Sequence, residues 1–599
     1  MGIPGLKRLL ELYATPRGTK IEPCRAAIDG PALSYHILSL CLKRTLKSSP
    51  FEQPSYELLG QTAVAWLGKI EEYGIIVSAI YFDGLLPQSK REERMQRLLV
   101  MTKQLERYRL AYPEGVPRQR AEFDDTAAVE LFPKTRGKDA KLAAPIPSFL
   151  VASIIDALSK SSAYASRVKM MPGEADGFCA ENVRAHGGLV LTSDSDLLVH
   201  DLGNDGGVVF FADLNLDTEL KALTAPLFRV EDISKRLSLK GDHSLAKLAF
   251  ELVIDPSLTI EQAAELSRRA TAATNNPSNY AEFFESYLSP ETVTDSVERD
   301  DRPILDPRVS ELALRCLPAT KDCASSNKRA DRASKDLAIY LPFLLDFPVR
   351  ISAWETSKSI RQLSYSLLQL ARNEPIASVA EFRRPQSPSS GLQAPCFTPS
   401  DIGKEASELL DLLSRIETGI TSPSLQWMVL AVYLDVDLSM RQGKENPLSL
   451  ELLRQYTLGT LDQGSWSFIH FLAQLQALLY SLRILKQIME FTARYALERL
   501  SPETEKLRER LGELPPFTTF PSLRGFGEMF REFGKANALQ CLSSLFSGQQ
   551  EVLDQIESVQ KAPTPKKGRK GKKRKASMPI TAPVRPLSRN PFDILAGQD

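Results

Sequence analysis

Four short apolar runs in the first part of the chain are predicted to be strands of one sheet. They cover residues 26–28, 75–82, 188–192 and 207–211, and nearly every position in them is apolar. Strands that are apolar on both faces are typical of parallel sheets covered by helices. Residues 31–46, between the first two runs, are apolar at helical spacing. The pattern predicts an α/β domain with a parallel twisted sheet flanked by helices.

From about residue 260 to 555 the apolar positions recur at helical spacing instead. We predict helices at 260–272, 309–316, 337–347, 405–416, 425–433 and 469–497. No repeat of fixed period is present, so the pattern does not support a solenoid. The sequence therefore predicts an α/β domain over 1–260 and a mostly α-helical domain over 261–555, for which it indicates no function of its own.

Composition places the chain among ordinary globular proteins, with 599 residues of which 43% are hydrophobic and 25% charged. No window approaches the uninterrupted apolar length of a membrane span, so we expect no membrane partner. The seven cysteines are scattered without C-x-x-C spacing. The absence of that spacing favours a reducing compartment and argues against a zinc site.

Acidic residues follow the apolar runs where parallel strands would end. They are Asp29, Asp83, Glu174, Asp176, Asp194 and Asp196. Taken alone, each is typical of a helix cap or a solvated strand end. Together they come from four segments that would meet at one edge of a parallel sheet. Because gathered like charges are costly without a cation, we expect a site for Mg²⁺ or Mn²⁺.

Spacing within the acidic pairs gives a more detailed prediction. Asp194 and Asp196 are two residues apart, so in an extended chain they would point to the same face and share a ligand. Pro172-Gly173 is predicted to open a helix, which would place Glu174 and Asp176 in its first turn, where negative charge suits the helix dipole.

These acids lie in motifs that resemble the N and I regions of the flap endonuclease/XPG nuclease superfamily. The matching segments come in that family's order, and they are MGIPGL at 1–6, IDG at 28–30, FDG at 82–84, PGEAD at 172–176 and TSDSD at 192–196. The resemblance implies a PIN-like fold over about the first 260 residues. The helical continuation and the tail look most like the Asteroid-type branch of the superfamily.

The resemblance implies two-metal hydrolysis of phosphodiester bonds by the acidic residues. It assigns Asp29, Asp83, Glu174 and Asp176 to a first ion, and Asp194, Asp196 and Asp255 to a second. Asp255 ends the apolar segment 250–255, but residues 256–260 lack the family's Gly-x-Gly turn. The resemblance also places Gly2 near the metal site and the substrate phosphates.

Basic residues after Asp83 resemble the family's gateway helix. Lys90, Arg94 and Arg97 recur three and four residues apart on one helical face, where they could contact nucleic acid. The resemblance gives Lys90 and Arg97 the role of holding the scissile phosphate, and it makes 88–146 a flexible arch. The alternative is an exposed, salt-bridged helix, since Glu92 and Glu93 are interleaved.

The tail over 556–599 is predicted to be disordered. Residues 561–575 contain nine Lys or Arg and no acid, so the rest of the chain sums to about −8 (the net charge of +1 minus 9). We expect nuclear localisation from this run, carried by Lys566, Lys567, Arg569, Lys570, Lys572, Lys573, Arg574 and Lys575. Residues 590–595 (NPFDIL) form an apolar island that could dock a protein partner.

The sequence thus predicts a nuclear, divalent-metal-dependent, structure-specific nuclease that acts on DNA, as a flap or a single strand, in DNA repair. DNA is favoured over RNA as the partner. One alternative is a nuclease-fold scaffold, weak or inactive in catalysis, that binds nucleic acid or regulates RNA. Another is a helical interaction protein whose first domain is only structural.

Overall fold

The computed structural model of the chain describes residues 3, 5–42, 51, 53–87, 90–117, 128–133, 146–240, 243–288, 303–316, 337–384, 391–443 and 446–560. Several predictions fall outside the described residues: the role of Gly2, the disorder of the tail beyond 560, its basic run, and the 590–595 peptide. Most of the predicted arch beyond residue 117 also lies outside them.

A five-stranded parallel sheet with strand order β3-β2-β1-β4-β5 forms the centre of the first part. Its strands are β1 (Cys24–Asp29), β2 (Ile75–Asp83), β3 (Val168–Met171), β4 (Leu189–Thr192) and β5 (Gly207–Phe210). The chain adds β2 and β3 on one side of β1, then crosses to add β4 and β5 on the other. This reversal opens a crevice at the carboxyl ends of β1 and β4. The predicted parallel α/β fold is confirmed.

Helices cover both faces of this sheet because its strands are apolar on both faces. In β1, Ala26 and Ile28 pack into one core, whereas Ala27 between them packs into the other. The helices of this part are α1 (Leu6–Leu10), α2 (Gly30–Leu42), α3 (Tyr56–Glu72), α4 (Arg91–Ala111), α5 (Leu150–Lys160), α6 (Ala175–His186), α7 (Val230–Arg236), α8 (Ser244–Ile254), α9 (Ile260–Arg268), α10 (Thr271–Asn275) and α11 (Pro277–Leu288). Strands β6 (Asn215–Asp217) and β7 (Ala222–Thr224) form a separate hairpin pair.

The second part is mostly helical, as predicted, but its last helix ends at Gln560, so the prediction that disorder begins at residue 556 is wrong. Its helices are α12 (Pro307–Cys316), α13 (Lys358–Arg372), α14 (Ile402–Gly419), α15 (Pro423–Arg441), α16 (Leu448–Thr457), α17 (Trp466–Ala496), α18 (Pro502–Leu511), α19 (Leu523–Lys535), α20 (Ala538–Leu545) and α21 (Gln550–Gln560). A three-stranded sheet of β8 (Ala338–Tyr340), β9 (Ser378–Phe382) and β10 (Leu392–Pro395) accompanies them.

The prediction of a helix over 337–347 is wrong. This apolar segment forms β8 and then continues without helix, and Phe343, Leu345 and Phe347, two residues apart, pack against one cluster that contains Trp466. Leu341 and Leu344 are buried in the large core of the helical part. A short apolar run buried on several sides has no periodicity that separates strand from helix.

The 31-residue helix α17 is the centre of the helical part. Within the part of the chain that the structure describes, the segment Trp466–Arg499 is long and apolar enough to cross a membrane by length and composition. Polar residues such as His470, Gln474 and Gln476 interrupt the segment, so it is not an uninterrupted apolar run. In addition, 89% of its apolar window is buried inside the protein, which is also the property of a core helix.

Contacts along α17 join the two parts of the chain. The ring of Phe149, just before α5, stacks on Tyr480 of α17 at 4.8 Å between ring centroids. Arg483 of α17 forms ion pairs with Asp156 of α5 at 3.5 Å and with Asp306, just before α12, at 2.8 Å. The helical part is thus packed directly against helices that flank the parallel sheet.

Replacing Glu381 by Gln is expected to destabilise the helical part strongly. Glu381 of β9 and Arg361 of α13 are both fully buried and form a bidentate ion pair with N–O distances of 2.7 and 2.9 Å. The substitution leaves a buried guanidinium uncompensated, which costs about 3–5 kcal/mol in the free energy of unfolding. Urea denaturation measures the loss. The control is Glu374→Gln, because Glu374 pairs with Arg372 at the surface; equal effects of the two substitutions would contradict the prediction.

Candidate metal centre

Asp29 ends β1 at the crevice, with only 4% of the residue exposed. Its carboxylate accepts hydrogen bonds from the Ala32 N–H at 3.0 Å and from the Thr192 hydroxyl at 2.5 Å. Gly30 follows because a Cβ at this position would lie 2.6 Å from the ring of Phe82. The close approach of β2 to the start of α2 thus requires glycine and fixes Asp29 at the sheet edge.

Asp83 ends β2 and binds the beginning of α6. Its carboxylate accepts the N–H of Ala175 at 2.8 Å, the first residue of that helix. Glu174 is the N-cap residue of α6 and Asp176 lies in its first turn, close to the prediction. At Gly84 a Cβ would lie 2.2 Å from the carbonyl oxygen of Met171, so only glycine lets β2 end here beside β3.

Asp194 and Asp196 do not lie in an extended strand. Strand β4 ends at Thr192, and residues 195–198 form a 3₁₀ helix that Asp194 caps by accepting the N–H of Asp196 at 3.0 Å. Asp196 instead accepts the N–H of Ile3 at 2.7 Å and is buried. The predicted same-face geometry is wrong because a tight turn replaces the extended chain, and the two carboxylates have different partners.

The acidic residues are close enough to raise one another's pKa values, so the four segments that carry them converge. Burial, then the charges of Asp83 and Asp194, raise the pKa of Asp29 to about 7, although its two hydrogen bonds oppose the rise. Burial and the charge of Glu174 raise the pKa of Asp83 to about 6. The pKa of Asp176 is raised by burial and then by Asp29, Asp194, Asp83 and Glu174. Four segments distant in sequence therefore share one electrostatic site.

The donor set of this acidic centre (Asp29, Asp83, Glu174, Asp176, Asp194 and Asp196) fits hard divalent cations. All of its side-chain donors are carboxylate oxygens, which Mg²⁺ and Mn²⁺ prefer. Within the described ranges, no three or more His, Cys, Asp or Glu residues already have the geometry of a metal site. Four of the carboxylates accept hydrogen bonds from backbone N–H groups, those of Ala32, Ala175, Ile3 and Asp196. The residues thus suit a cation by chemistry and by charge.

Lys90 is the predicted basic residue that reaches the acidic centre. Lys90 lies just before the first residue of α4, and its Nζ atom is 3.2 Å from a carboxylate oxygen of Glu174. Burial lowers the pKa of Lys90, but the charges of Glu174, Glu93 and Asp196 outweigh it, and the pKa is raised. The ammonium group of Lys90 is therefore held beside the carboxylates.

Arg94 and Arg97 lie in different surroundings. Arg97 pairs with Glu93 on the surface of α4, with 51% of its side chain exposed. Arg94 has 11% of its side chain exposed and binds Glu311 of α12 through two hydrogen bonds of 2.9 and 2.8 Å. Arg94 therefore contacts the helical part of the chain rather than the crevice.

Asp255 is not brought together with the other acids. It is exposed at the end of α8 and accepts hydrogen bonds from the backbone and the hydroxyl of Ser257. These bonds lower its pKa, and none of the acids at the crevice contributes to the shift. Its assignment rested on the resemblance alone, and the turn that follows lacks the family's glycines.

One residue of the site was missed by the sequence prediction. Thr192 links the centre, because its hydroxyl donates to Asp29 and accepts the N–H of Asp194 at 2.9 Å.

Comparison with protein families agrees with this geometry. Residues 146–395 match a family model described as "XPG domain containing". The match includes β3, α6, β4 and the acids from Glu174 to Asp196, and it continues past the predicted domain boundary at 260. It supports a nuclease-fold protein of the XPG/PIN-like superfamily. A search of the curated proteins found no match.

Replacing Asp176 by Asn is expected to stabilise the protein in metal-free buffer. The substitution removes one of several clustered negative charges while keeping the shape of the side chain. We expect the free energy of unfolding to rise, because burial and the neighbouring carboxylates disfavour the charged form of this side chain. Thermal and urea unfolding in EDTA measure the change, with the exposed Glu219→Gln as control. A loss of stability in Asp176→Asn would contradict the account.

Proposed function

We propose that this protein is a divalent-metal-dependent, structure-specific nuclease that hydrolyses phosphodiester bonds of DNA, in flaps or single strands, in DNA repair. The observation that carries the proposal is the convergence of carboxylates from four segments at the sheet crevice, with Lys90 among them. The match of 146–395 to an XPG family model supports the nuclease part of the proposal. DNA rather than RNA, and the Asteroid-type branch, are proposed from the resemblance of the motifs.

Two Mg²⁺ or Mn²⁺ ions are proposed as cofactors. Asp29, Asp83, Glu174 and Asp176 would hold the first, and Asp194 with Asp196 the second. When bound, such ions would supply an activated water and offset the charge of the reacting phosphate. The Thr192 hydroxyl orients Asp29, and Asp83 keeps its place through the N–H of Ala175.

Lys90 is proposed to bind the scissile phosphate. Its ammonium group is fixed at the rim of the acidic centre by Glu174, and the negative charges around it keep it protonated. A phosphate that enters the crevice meets this cation, which offsets the charge that grows on the phosphate oxygens. Arg97 lies two turns along α4 on the exposed surface, where it could bind a phosphate further along the strand.

Two further proposals concern the tail outside the described residues. The basic run from Lys566 to Lys575 would direct the protein to the nucleus. The 590–595 peptide would dock a protein partner. Both come from the sequence alone.

A second candidate function is a nuclease-fold scaffold that binds nucleic acid without cutting it. It is favoured by the partners that the acidic centre already has within the protein, since Glu174 pairs with Lys90, and Asp83 and Asp196 accept backbone N–H groups. In this case the crevice would bind nucleic acid through Lys90 and its neighbours.

A cleavage assay separates the two candidates. End-labelled single-stranded, flap and duplex DNA, and RNA of the same sequence, are incubated with Mg²⁺ or Mn²⁺ and wild type, Asp194→Ala or Asp255→Ala. We expect cutting by the wild type, no cutting by Asp194→Ala, and retained cutting by Asp255→Ala because that side chain lies apart from the centre. Salt-dependent binding without cutting, by a folded chain truncated before Lys561, would support the scaffold instead.

Replacing Lys90 by Ala is expected to slow cleavage more than replacing Arg97 by Ala. Loss of a fixed positive group at the reacting phosphate costs about 10²–10³ in kcat. Arg97 is exposed and already pairs with Glu93, so its loss should change KM mainly and by less than about tenfold. Cleavage rates measured over a range of DNA concentrations give kcat and KM for both variants. Equal effects would remove the special role of Lys90.

A further inference from the structure

Helix α4, which begins directly after Lys90, is attached to the helical part of the chain at the end near the acidic centre. Arg94 forms its bidentate pair with Glu311, and its guanidinium lies 4.4 Å from the ring centroid of Tyr340 in β8. One turn earlier, the guanidinium of Arg91 lies 5.3 Å from the ring of Phe382 in β9. The first turns of α4 thus rest on α12 and on the three-stranded sheet.

Glu311 is also linked, through Arg315, to the segment that follows Asp83. Arg315, one turn along α12, pairs with Glu311 at 3.0 Å and donates to the carbonyl oxygen of Leu86 at 2.7 Å. Gly84 lies so close to α12 that a Cβ there would be 2.8 Å from the hydroxyl oxygen of Ser310. Helix α12 therefore supports both the connection between Asp83 and Lys90 and the helix that follows it.

The pair between Arg94 and Glu311 is shielded from water. Glu311 has 6% of its side chain exposed, and its partners Arg94 and Arg315 have 11% and 18%. Burial raises the pKa of Glu311, but the bonds and charges of the arginines outweigh it, and the pKa is lowered. A carboxylate held this way stays charged and gives a directional contact, unlike an exposed surface pair.

The far end of α4 is attached as well. Leu105 is buried in a cluster with Trp466 and Ile469 of α17. The Trp466 indole N–H donates to the carbonyl oxygen of Tyr112 at 2.7 Å, and the Val116 N–H donates to the carbonyl oxygen of Gly464 at 2.8 Å. Both ends of the described segment 90–117 therefore contact the helical part of the chain, and the flexibility of the arch implied by the resemblance stays a prediction.

We propose that Glu311 is a positioning residue that holds α4 in place, so that Lys90 lies at the acidic centre before nucleic acid binds. The helical part of the chain then serves the centre directly, as the support of one wall of the crevice. This inference rests on the proposed function only where it predicts an effect of Glu311 on cleavage. The attachment itself can be tested without any activity.

Hydrogen exchange of the protein without nucleic acid tests the attachment. We expect amides of 91–98 to be protected in the wild type, and to exchange about tenfold faster in Glu311→Gln while amides of β1 keep their protection. Arg94→Lys, which keeps the charge but loses the bidentate pair, should give a smaller change in the same direction. The matched control on α4 is the exposed Glu92→Gln. Unprotected α4 amides in the wild type that become protected only on addition of single-stranded DNA would overturn the proposal.

Cleavage kinetics test the positioning role. Glu311→Gln is expected to lower kcat by about tenfold to a hundredfold with little change in KM, because Lys90 is then less well placed. The exchanged pair Arg94→Glu/Glu311→Arg should recover part of the loss. An unchanged kcat in Glu311→Gln would overturn the role. If the wild type cuts nothing, the proposed function fails, while the exchange experiment still decides whether α4 is held.

Discussion

Repulsion among carboxylates at one edge of the parallel sheet is the constraint on which this structure depends. Burial and neighbouring negative charges raise the pKa values of Asp29, Asp83 and Asp176, so each charge is held against an opposing free energy. Perturbed pKa values of this kind cluster at functional sites. Two apolar cores on the faces of the sheet, and glycines where strands meet helices, hold the four acidic segments at the sheet edge.

The helical part of the chain contributes to the same site from a distance. Arg483 of α17 pairs with Asp156 of α5, and Tyr480 of α17 stacks on Phe149, the residue before α5. Helix α12 lies against the segment that follows Asp83. The ammonium group of Lys90 beside the acidic centre is therefore positioned by residues more than two hundred positions later in the sequence, such as Glu311. This arrangement gives a physical reason for the family match to extend past the sheet to residue 395.

The sequence predicted the parts of the site that depend on local pattern. Apolar runs marked four of the five strands of the parallel sheet but not β3, and the acids after three of these runs marked the crevice, because parallel strands bring their carboxyl ends to one edge. Long-range contacts could not be predicted this way. Arg94 shares its spacing with Lys90 and Arg97, yet it binds Glu311; Asp196 turns to Ile3 because a 3₁₀ helix follows β4. The 337–347 segment became strand and extended chain because tertiary burial outweighs a short apolar pattern. The choice of DNA and the nuclear localisation stay predictions.

The most direct test of the account is whether the acidic centre binds divalent cations. Mn²⁺ binding to the metal-free protein, followed by electron paramagnetic resonance of the free ion, should be saturable in the wild type and strongly weakened in Asp29→Asn. Thermal unfolding shows whether that variant is folded, and its circular dichroism spectrum whether the sheet is intact. Equal, weak Mn²⁺ binding by the wild type and a folded Asp29→Asn would contradict the claim that these carboxylates form a metal centre.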